Sequence, residues 1–164
     1  MKFKIRALDY HEFEPLFDLS DIELEKKGIK RMVVDAKPGY PCRVSLEDAE
    51  IGEEVILVPY DFHKTNSPYQ SRGPIFVRKG IVTRVFENNE IPLMLNHRLL
   101  SYRGYDKYGF MKEAVIEKGQ NTKSVIENIF KNTEIEYIHI HNASPGCYNC
   151  EVRKVELKRG TTKN

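Results

Sequence analysis

An early, rigid loop presents a thiol beside a guanidinium. Cys42 and Arg43 follow Pro38, Gly39 and Pro41, and prolines fix φ whereas glycine permits unusual backbone angles. A thiol reacts as its thiolate, which a neighbouring cation stabilises. The same arginine could instead hold a carboxylate or phosphate through two hydrogen bonds. The loop therefore predicts a nucleophile, an anion site, or both.

A second reactive set lies near the end of the chain, at His139, His141 and Cys147. Residues two apart on a strand share a face, so the two imidazoles point the same way. We expect one pocket in which Cys147 or Cys42 is the nucleophile. His141 or His139 would be its proton partner.

Two arginines, Arg43 and Arg103, are the candidates for holding an anion in that pocket. The alternative is that they form structural ion pairs that only fix the loops. The carboxylates available for such pairs are Glu47, Asp48 and Asp106.

The same histidines suggest a zinc site as an alternative. A hairpin in which Ser144 pairs with Cys147 would place Cys150 opposite His141, and two imidazoles with thiolates could bind zinc. A shift of register by one residue would move Cys150 to the isoleucine face and break the site. We therefore expect no bound metal.

A polar segment between two predicted strands has two interpretations. The run from Ser67 to Arg72 could cover a ligand, with Tyr60, His63 and Tyr69 facing inward. It could equally be a surface loop whose tyrosines cover apolar area.

The elements that position these residues are mostly strands. Alternating or apolar runs predict the strands and short connections predict hairpins, while a capping box at Ser20 and Glu23 begins a helix. This pattern is typical of an α+β domain with a mostly antiparallel, or mixed, sheet. The predicted strands are 3–8, 29–34, 54–60, 73–78, 99–105, 111–117, and a final hairpin of 135–141 with 148–157; the three short helices are 10–17, 21–27 and 121–131.

The two cysteine-bearing loops each follow a strand, the first after 29–34 and the second after 135–141. If those strands ran parallel in one sheet, the loops would meet at one edge. We therefore expect Cys42, Arg43 and Cys147 to surround one depression.

Composition excludes several classes of protein. The 26 basic and 24 acidic residues give a net charge of +2, which is typical neither of nucleic-acid binding nor of a membrane-surface protein. The chain shows no membrane-spanning segment, no signal-peptide pattern and no cofactor motif. Its three cysteines predict a reducing cytoplasm rather than a disulfide framework. We expect one domain over 1–158 and a flexible basic tail over 159–164.

Several ordered blocks resemble a bacterial family, domain of unknown function 1203. They are Pro38-Gly-x-Pro-Cys-Arg43, Leu46-x-Asp-Ala49, Ser67-Pro-Tyr69, Gly73-Pro-Ile-Phe-Val77, Arg103-x-Tyr-Asp106, His139-x-His-Asn-Ala143 and Gly146-Cys-Tyr148. The resemblance implies that Cys42, Arg43, Arg103 and Cys147 belong to the family pattern, and that His63 is its histidine after the strand ending at Tyr60. It also implies that Cys150 stands where the family carries a small residue.

These observations lead to one functional hypothesis and one alternative. The protein binds, and in the fuller form of the hypothesis transforms, a small anionic ligand in a Cys/Arg/His pocket. Its residues are Cys147, His141 and Cys42 for chemistry and Arg43, Arg103, His63, Tyr69 and His139 for binding. The alternative is a non-catalytic interaction module, stabilised in one version by zinc on His139, His141, Cys147 and Cys150.

Overall fold

Eight strands and two α-helices form within residues 1–156, the part of the chain that the computed structural model describes. The basic tail expected over 159–164 lies outside these residues. The strands are β1 Phe3–Arg6, β2 Lys30–Val33, β3 Glu54–His63, β4 Ser71–Arg78, β5 Leu99–Tyr105, β6 Met111–Lys118, β7 Tyr137–Asn142 and β8 Tyr148–Lys154; the helices are α1 Asp21–Lys26 and α2 Thr122–Ile129.

The strands divide between two sheets, in the orders β1-β8-β7-β5-β6 and β2-β3-β4, and neighbouring strands in both sheets run antiparallel. The predicted α+β class and the β7–β8 hairpin are confirmed, and β7 is the middle strand of the larger sheet. Because β2 and β7 belong to different sheets, the parallel arrangement that would place their following loops at one sheet edge does not occur.

Local sequence explains the helices. Ser20 accepts a hydrogen bond from the Glu23 amide and the Glu23 carboxylate accepts one from the Ser20 amide, so the predicted capping box begins α1. The helix expected over 10–17 forms instead as two 3₁₀ turns, Tyr10–Glu12 and Glu14–Asp18. Pro15 lies within that stretch and lacks the N–H that a longer helix would need.

The core lies on one face of the larger sheet. Ile138 and Ile140 on β7 pack there with Ile126 and Ile129, which α2 presents at helical spacing. A second core forms between the smaller sheet and the N-terminal turns, and it includes Phe13, Leu24, Val58 and Ile75. The opposite face of β7 is thereby left for polar residues. Within residues 1–156, no helix is long and apolar enough to cross a membrane.

Three β-bulges surround that polar face. One lies in β3 between Tyr60 and His63; the second lies in β8, opposite the step from Ile140 to His141 of β7; the third lies in β6, opposite the step from Gly104 to Tyr105 of β5. A bulge adds one unpaired residue, bends the strand and redirects the side chains that follow. The bulges therefore decide which side chains meet at the polar face.

Candidate functional site

The polar face carries a row of buried aromatic and imidazole side chains. Tyr137, His139 and His141 alternate along β7 with the core isoleucines, so all three point to the same face. On β5, Arg103 lies directly opposite His139 and Tyr105 opposite Tyr137. The central strand thus supplies a histidine pair, as the sequence predicted.

The end of β3 covers this row. The Phe62 ring stacks on the Tyr148 ring with centroids 5.3 Å apart, and its edge meets His141 at 5.1 Å. The His63 ring lies 4.2 Å from the Tyr105 ring and 5.0 Å from the His139 ring, centroid to centroid. The β3 bulge at these residues brings the smaller sheet onto the polar face of the larger one.

Two hydrogen bonds fix the orientation of His63. Its Nδ1 lies 2.7 Å from the Tyr69 carbonyl oxygen, which can only accept, so we assign the proton to Nδ1. Its Nε2 lies 2.6 Å from the Tyr137 hydroxyl. Burial raises the pKa of Tyr137 to about 12, so this hydroxyl keeps its proton and donates to Nε2. Both ring nitrogens of His63 are therefore occupied.

His139 differs because one of its nitrogens is unoccupied. Its Nε2 donates to the Glu151 carboxylate at 3.4 Å, whereas Nδ1 is buried and has no hydrogen-bond partner within residues 1–156. Burial lowers the pKa of His139, against the opposing effect of Glu151. Burial would raise the pKa of Glu151, but hydrogen bonds from His139 and Arg153 outweigh it and lower that pKa to about 2. A neutral imidazole held by a carboxylate thus keeps a free lone pair.

His141 is also neutral and partly unsatisfied. Its Nδ1 donates to the Gly146 carbonyl at 3.0 Å, and its buried Nε2 has no partner in the described chain. Burial lowers the pKa of His141 to about 3, and the nearby charges of Arg103 and Arg43 act in the same direction. His141 is thus a second buried, neutral imidazole with an unoccupied ring nitrogen.

A cleft of about 450 Å³ opens beside His139. Its walls include the rings of Tyr60, Phe62, Tyr137 and Tyr148. Its charged lining consists of four cations and two carboxylates, Arg6, Lys64, Lys107, Arg153, Asp61 and Glu151.

Both carboxylates of the cleft are already paired. Glu151 contacts Arg153 at 2.6 Å and Arg6 at 3.9 Å, while Asp61 pairs with Arg72 at 3.4 Å. Lys64 and Lys107 have no carboxylate oxygen within 4 Å in the described residues. The cleft therefore carries an excess of positive charge.

The early cysteine loop meets the β7–β8 connection at Arg43. The Arg43 Nε donates to the Tyr148 carbonyl at 2.7 Å, and a second guanidinium nitrogen donates to the Pro41 carbonyl. The expected proximity of the two loops is thus present, although the strands before them lie in different sheets. Neither Arg43 nor either of these cysteines lines the His139 cleft.

Cys150 does not join the histidines. The β7–β8 register pairs it with Ile140, and its side chain is buried in the isoleucine core, where burial raises its pKa to about 12. Asn142, not Ser144, makes the backbone bond to Cys147, so the pairing that the zinc alternative required was wrong. Across residues 1–156, no group of three or more His, Cys, Asp or Glu side chains is placed to bind a metal.

The structural ion pairs that were the alternative role of Arg43 and Arg103 do not form. Glu47 contacts Arg78, Asp48 contacts Arg98, and Asp106 contacts Lys112. Arg43 is buried, whereas Arg103 is partly exposed and bonds to Ser101 Oγ at 3.3 Å. Neither has a carboxylate partner in the described part of the chain.

No residue of the run from Ser67 to Arg72, the segment expected to cover a ligand, lines the cleft. Tyr60 and His63 line it, whereas Tyr69 is 38% exposed and packs against Tyr105 and Phe110. Tyr69 nevertheless contributes the backbone oxygen that orients His63.

Sequence reasoning missed most of the charged and aromatic lining of the cleft, including Lys64, Lys107, Arg6, Tyr137, Glu151 and Arg153. A signal existed for Tyr137, Glu151 and Arg153. Glu151 and Arg153 alternate on β8 as Tyr137 and His139 do on β7, so a hairpin in the observed register places them directly opposite. That register depends on the bulge, which the sequence pattern did not show.

Comparison with family models gives one match, to a protein of unknown function (DUF1203), over residues 39–154. The chain belongs to this family. The match to DUF1203 contains both histidines, Glu151, Arg153 and the whole Cys42–Arg43–Cys147 cluster, whereas Arg6 lies before it. No curated protein and no solved structure matches the chain significantly.

Proposed function

We propose that this protein binds a small hydroxylated anion in the His139 cleft. The supporting observation is His139 itself: an imidazole with 2% exposure and an unpartnered Nδ1, placed on the wall of a cleft with excess positive charge. Buried polar atoms normally have hydrogen-bond partners, so the unpartnered Nδ1 beside the cleft can take its partner from a bound ligand.

The charge of the cleft selects the anion. Lys64 and Lys107 stand at its exposed side without carboxylate partners in the described residues, and clefts lined by one sign of charge concentrate ligands of the other. The volume of about 450 Å³ lies in the range of small-molecule sites, roughly 300–1,000 Å³.

The protonation state of His139 favours a ligand that carries a hydroxyl group. Glu151 holds the Nε2–H, so the lone pair of Nδ1 is directed away from that carboxylate and can accept a hydrogen bond. An anion with a hydroxyl group satisfies both the lysines and this nitrogen. The same geometry would let His139 take the hydroxyl proton, which is the chemical step of the fuller hypothesis.

Two matched ligands separate these contributions. Citrate carries three carboxylates and a hydroxyl, and tricarballylate carries the same carboxylates without it. In NMR spectra that detect imidazole nitrogens, we expect citrate to shift His139 Nδ1 and to bind more tightly than tricarballylate. The exposed His11 serves as the internal reference, because it does not line the cleft.

Two double variants test the charge. Lys64→Gln with Lys107→Gln removes the unpaired cations of the cleft, whereas Lys30→Gln with Lys123→Gln removes the same charge elsewhere on the surface. Because one exposed cation contributes up to about 1 kcal/mol, we expect the first pair to weaken citrate binding about three- to tenfold and the second pair to change it less than twofold.

Equal affinity for citrate and tricarballylate would contradict the role of His139. Equal effects of the two double variants would contradict the cleft as the anion site. Failure of all tested anions to bind would favour the alternative, a non-catalytic interaction module.

A further inference from the structure

A second cavity, of about 650 Å³, adjoins the His139 cleft. It lies in the β3–β4 hairpin, and its lining residues are Asp61, His63, Lys64, Thr65, Asn66, Gln70, Ser71 and Arg72. The first four of these residues also line the His139 cleft. The two cavities therefore share the segment 61–65 as a common wall.

Lys64 lies where the two cavities meet. Its Nζ is 5.7 Å from the centroid of the Tyr60 ring, which belongs to the wall of the His139 cleft, and its side chain also lines the second cavity. It is exposed and has no carboxylate oxygen within 4 Å in the described residues. An anionic group bound by Lys64 would therefore lie at the opening of both cavities.

The second cavity differs from the His139 cleft in its chemistry. No hydrophobic side chain from residues 1–156 lines it. Apart from Lys64, its charged side chains are already paired, because Asp61 contacts Arg72 at 3.4 Å. His63 belongs to its wall, but both ring nitrogens of His63 are occupied. This lining disfavours an apolar group and also a second anionic group, which would find no free cation there.

The remaining side chains of the second cavity are neutral and polar. The amides of Asn66 and Gln70 are exposed and make no hydrogen bond to residues 1–156, and each offers both donors and an acceptor. The hydroxyls of Thr65 and Ser71 donate to backbone carbonyls at 3.1 and 2.8 Å, so their oxygens remain able to accept. Side chains that both donate and accept match hydroxyl groups, which do the same.

We propose that the ligand of the His139 cleft is a sugar acid that carries a further sugar unit, and that this unit lies in the second cavity. The carboxylate is bound at Lys64, and a hydroxyl of the acid donates to His139 Nδ1. The hydroxyls of the further sugar bind the amides of Asn66 and Gln70. This inference rests on the proposed anion site, because it names the class of ligand that the site takes.

Gluconate and lactobionate test the inference, because lactobionate is gluconate with one added galactose unit. In calorimetric titrations of the intact chain, we expect lactobionate to bind about five- to twentyfold more tightly, the effect of one or two additional hydrogen bonds between neutral groups. In NMR spectra, lactobionate should shift the side-chain amide signals of Asn66 and Gln70, and gluconate should leave them unchanged.

Two double variants locate the added sugar. Asn66→Ala with Gln70→Ala removes the two amides of the second cavity. Asn88→Ala with Gln120→Ala is the control, because it removes two exposed amides that line neither cavity. We expect the first pair to reduce the preference for lactobionate to less than about twofold without changing the affinity for gluconate, and the control pair to retain the full preference.

The outcomes separate this inference from the anion site itself. Equal affinity for gluconate and lactobionate would overturn the sugar unit in the second cavity and leave the anion site standing, as would binding of citrate alone. A preference for lactobionate that survives the loss of both amides would also overturn it, because the added sugar would then lie elsewhere. Failure of citrate and both sugar acids to bind would contradict the anion site and this inference together.

Discussion

Mild acid should destabilise this protein through His141. The imidazole has no exposed surface, and burial is the main cause that lowers its pKa from 6.5 to about 3. Unfolding exposes the ring and restores an ordinary pKa, so the unfolded chain takes up a proton that the folded chain refuses. This destabilising effect of His141 is absent above pH 6.5. The free energy of unfolding falls progressively as the pH drops from 6.5 towards 3.

The size of the effect follows from the width of that window. At about pH 4.5 the pH is two units below the pKa of the imidazole in the unfolded chain, which is therefore protonated. The imidazole in the folded chain is still neutral at this pH. At about 1.4 kcal/mol per unit, His141 then lowers the free energy of unfolding by about 3 kcal/mol. His139 acts in the same direction, because burial lowers its pKa as well.

Urea unfolding at pH 7.5 and pH 4.5 measures this loss. We compare the wild type with His141→Asn, whose amide can still donate to the Gly146 carbonyl. The wild type should lose about 3 kcal/mol more than the variant, a difference of about 1–2 M in the urea midpoint for a typical slope. His11→Asn is the control, since His11 is exposed. An equal loss in wild type and His141→Asn would refute the reasoning.

Three further substitutions test single contacts. Tyr137→Phe should lower stability by about 1–3 kcal/mol, because it leaves the buried His63 Nε2 without its donor. Gly119→Ala should cost about 3 kcal/mol, because a Cβ there would lie 1.6 Å from the Leu95 carbonyl oxygen and the backbone would have to move. Ser20→Ala should cost about 1 kcal/mol through loss of the α1 cap. All three are measured by thermal or urea unfolding, with controls for the first two. Tyr108→Phe removes a hydroxyl from an exposed ring. Gly80→Ala adds a Cβ in open space, so only its positive φ of 67° opposes it, at about 1–2 kcal/mol. An unchanged midpoint for Tyr137→Phe would show that water replaces the lost donor, and equal costs at the two glycines would contradict the clash at Gly119.

The local elements could be read from the sequence. Alternation along β7 indicated that His139 and His141 share one face, and the apolar stripe of Val125, Ile126 and Ile129 predicted α2. Helical spacing, strand alternation and capping act between residues close in the chain. They leave a signature that needs no knowledge of the rest of the fold.

The site required the tertiary structure. One extra residue at the β7–β8 bulge puts Cys150 opposite Ile140 rather than among the histidines. The bulge in β3 lets the His63 ring, from the smaller sheet, pack against His139 of the larger sheet.

The partner of each charge was likewise invisible in the sequence. Asp48 pairs with Arg98, and the buried Arg43 is left with two backbone carbonyls as hydrogen-bond partners. The sequence by itself determined which residues could do chemistry and which strands carry them. Register, sheet division and charge pairing depend on contacts between distant segments, so only the folded chain decided which of those residues meet.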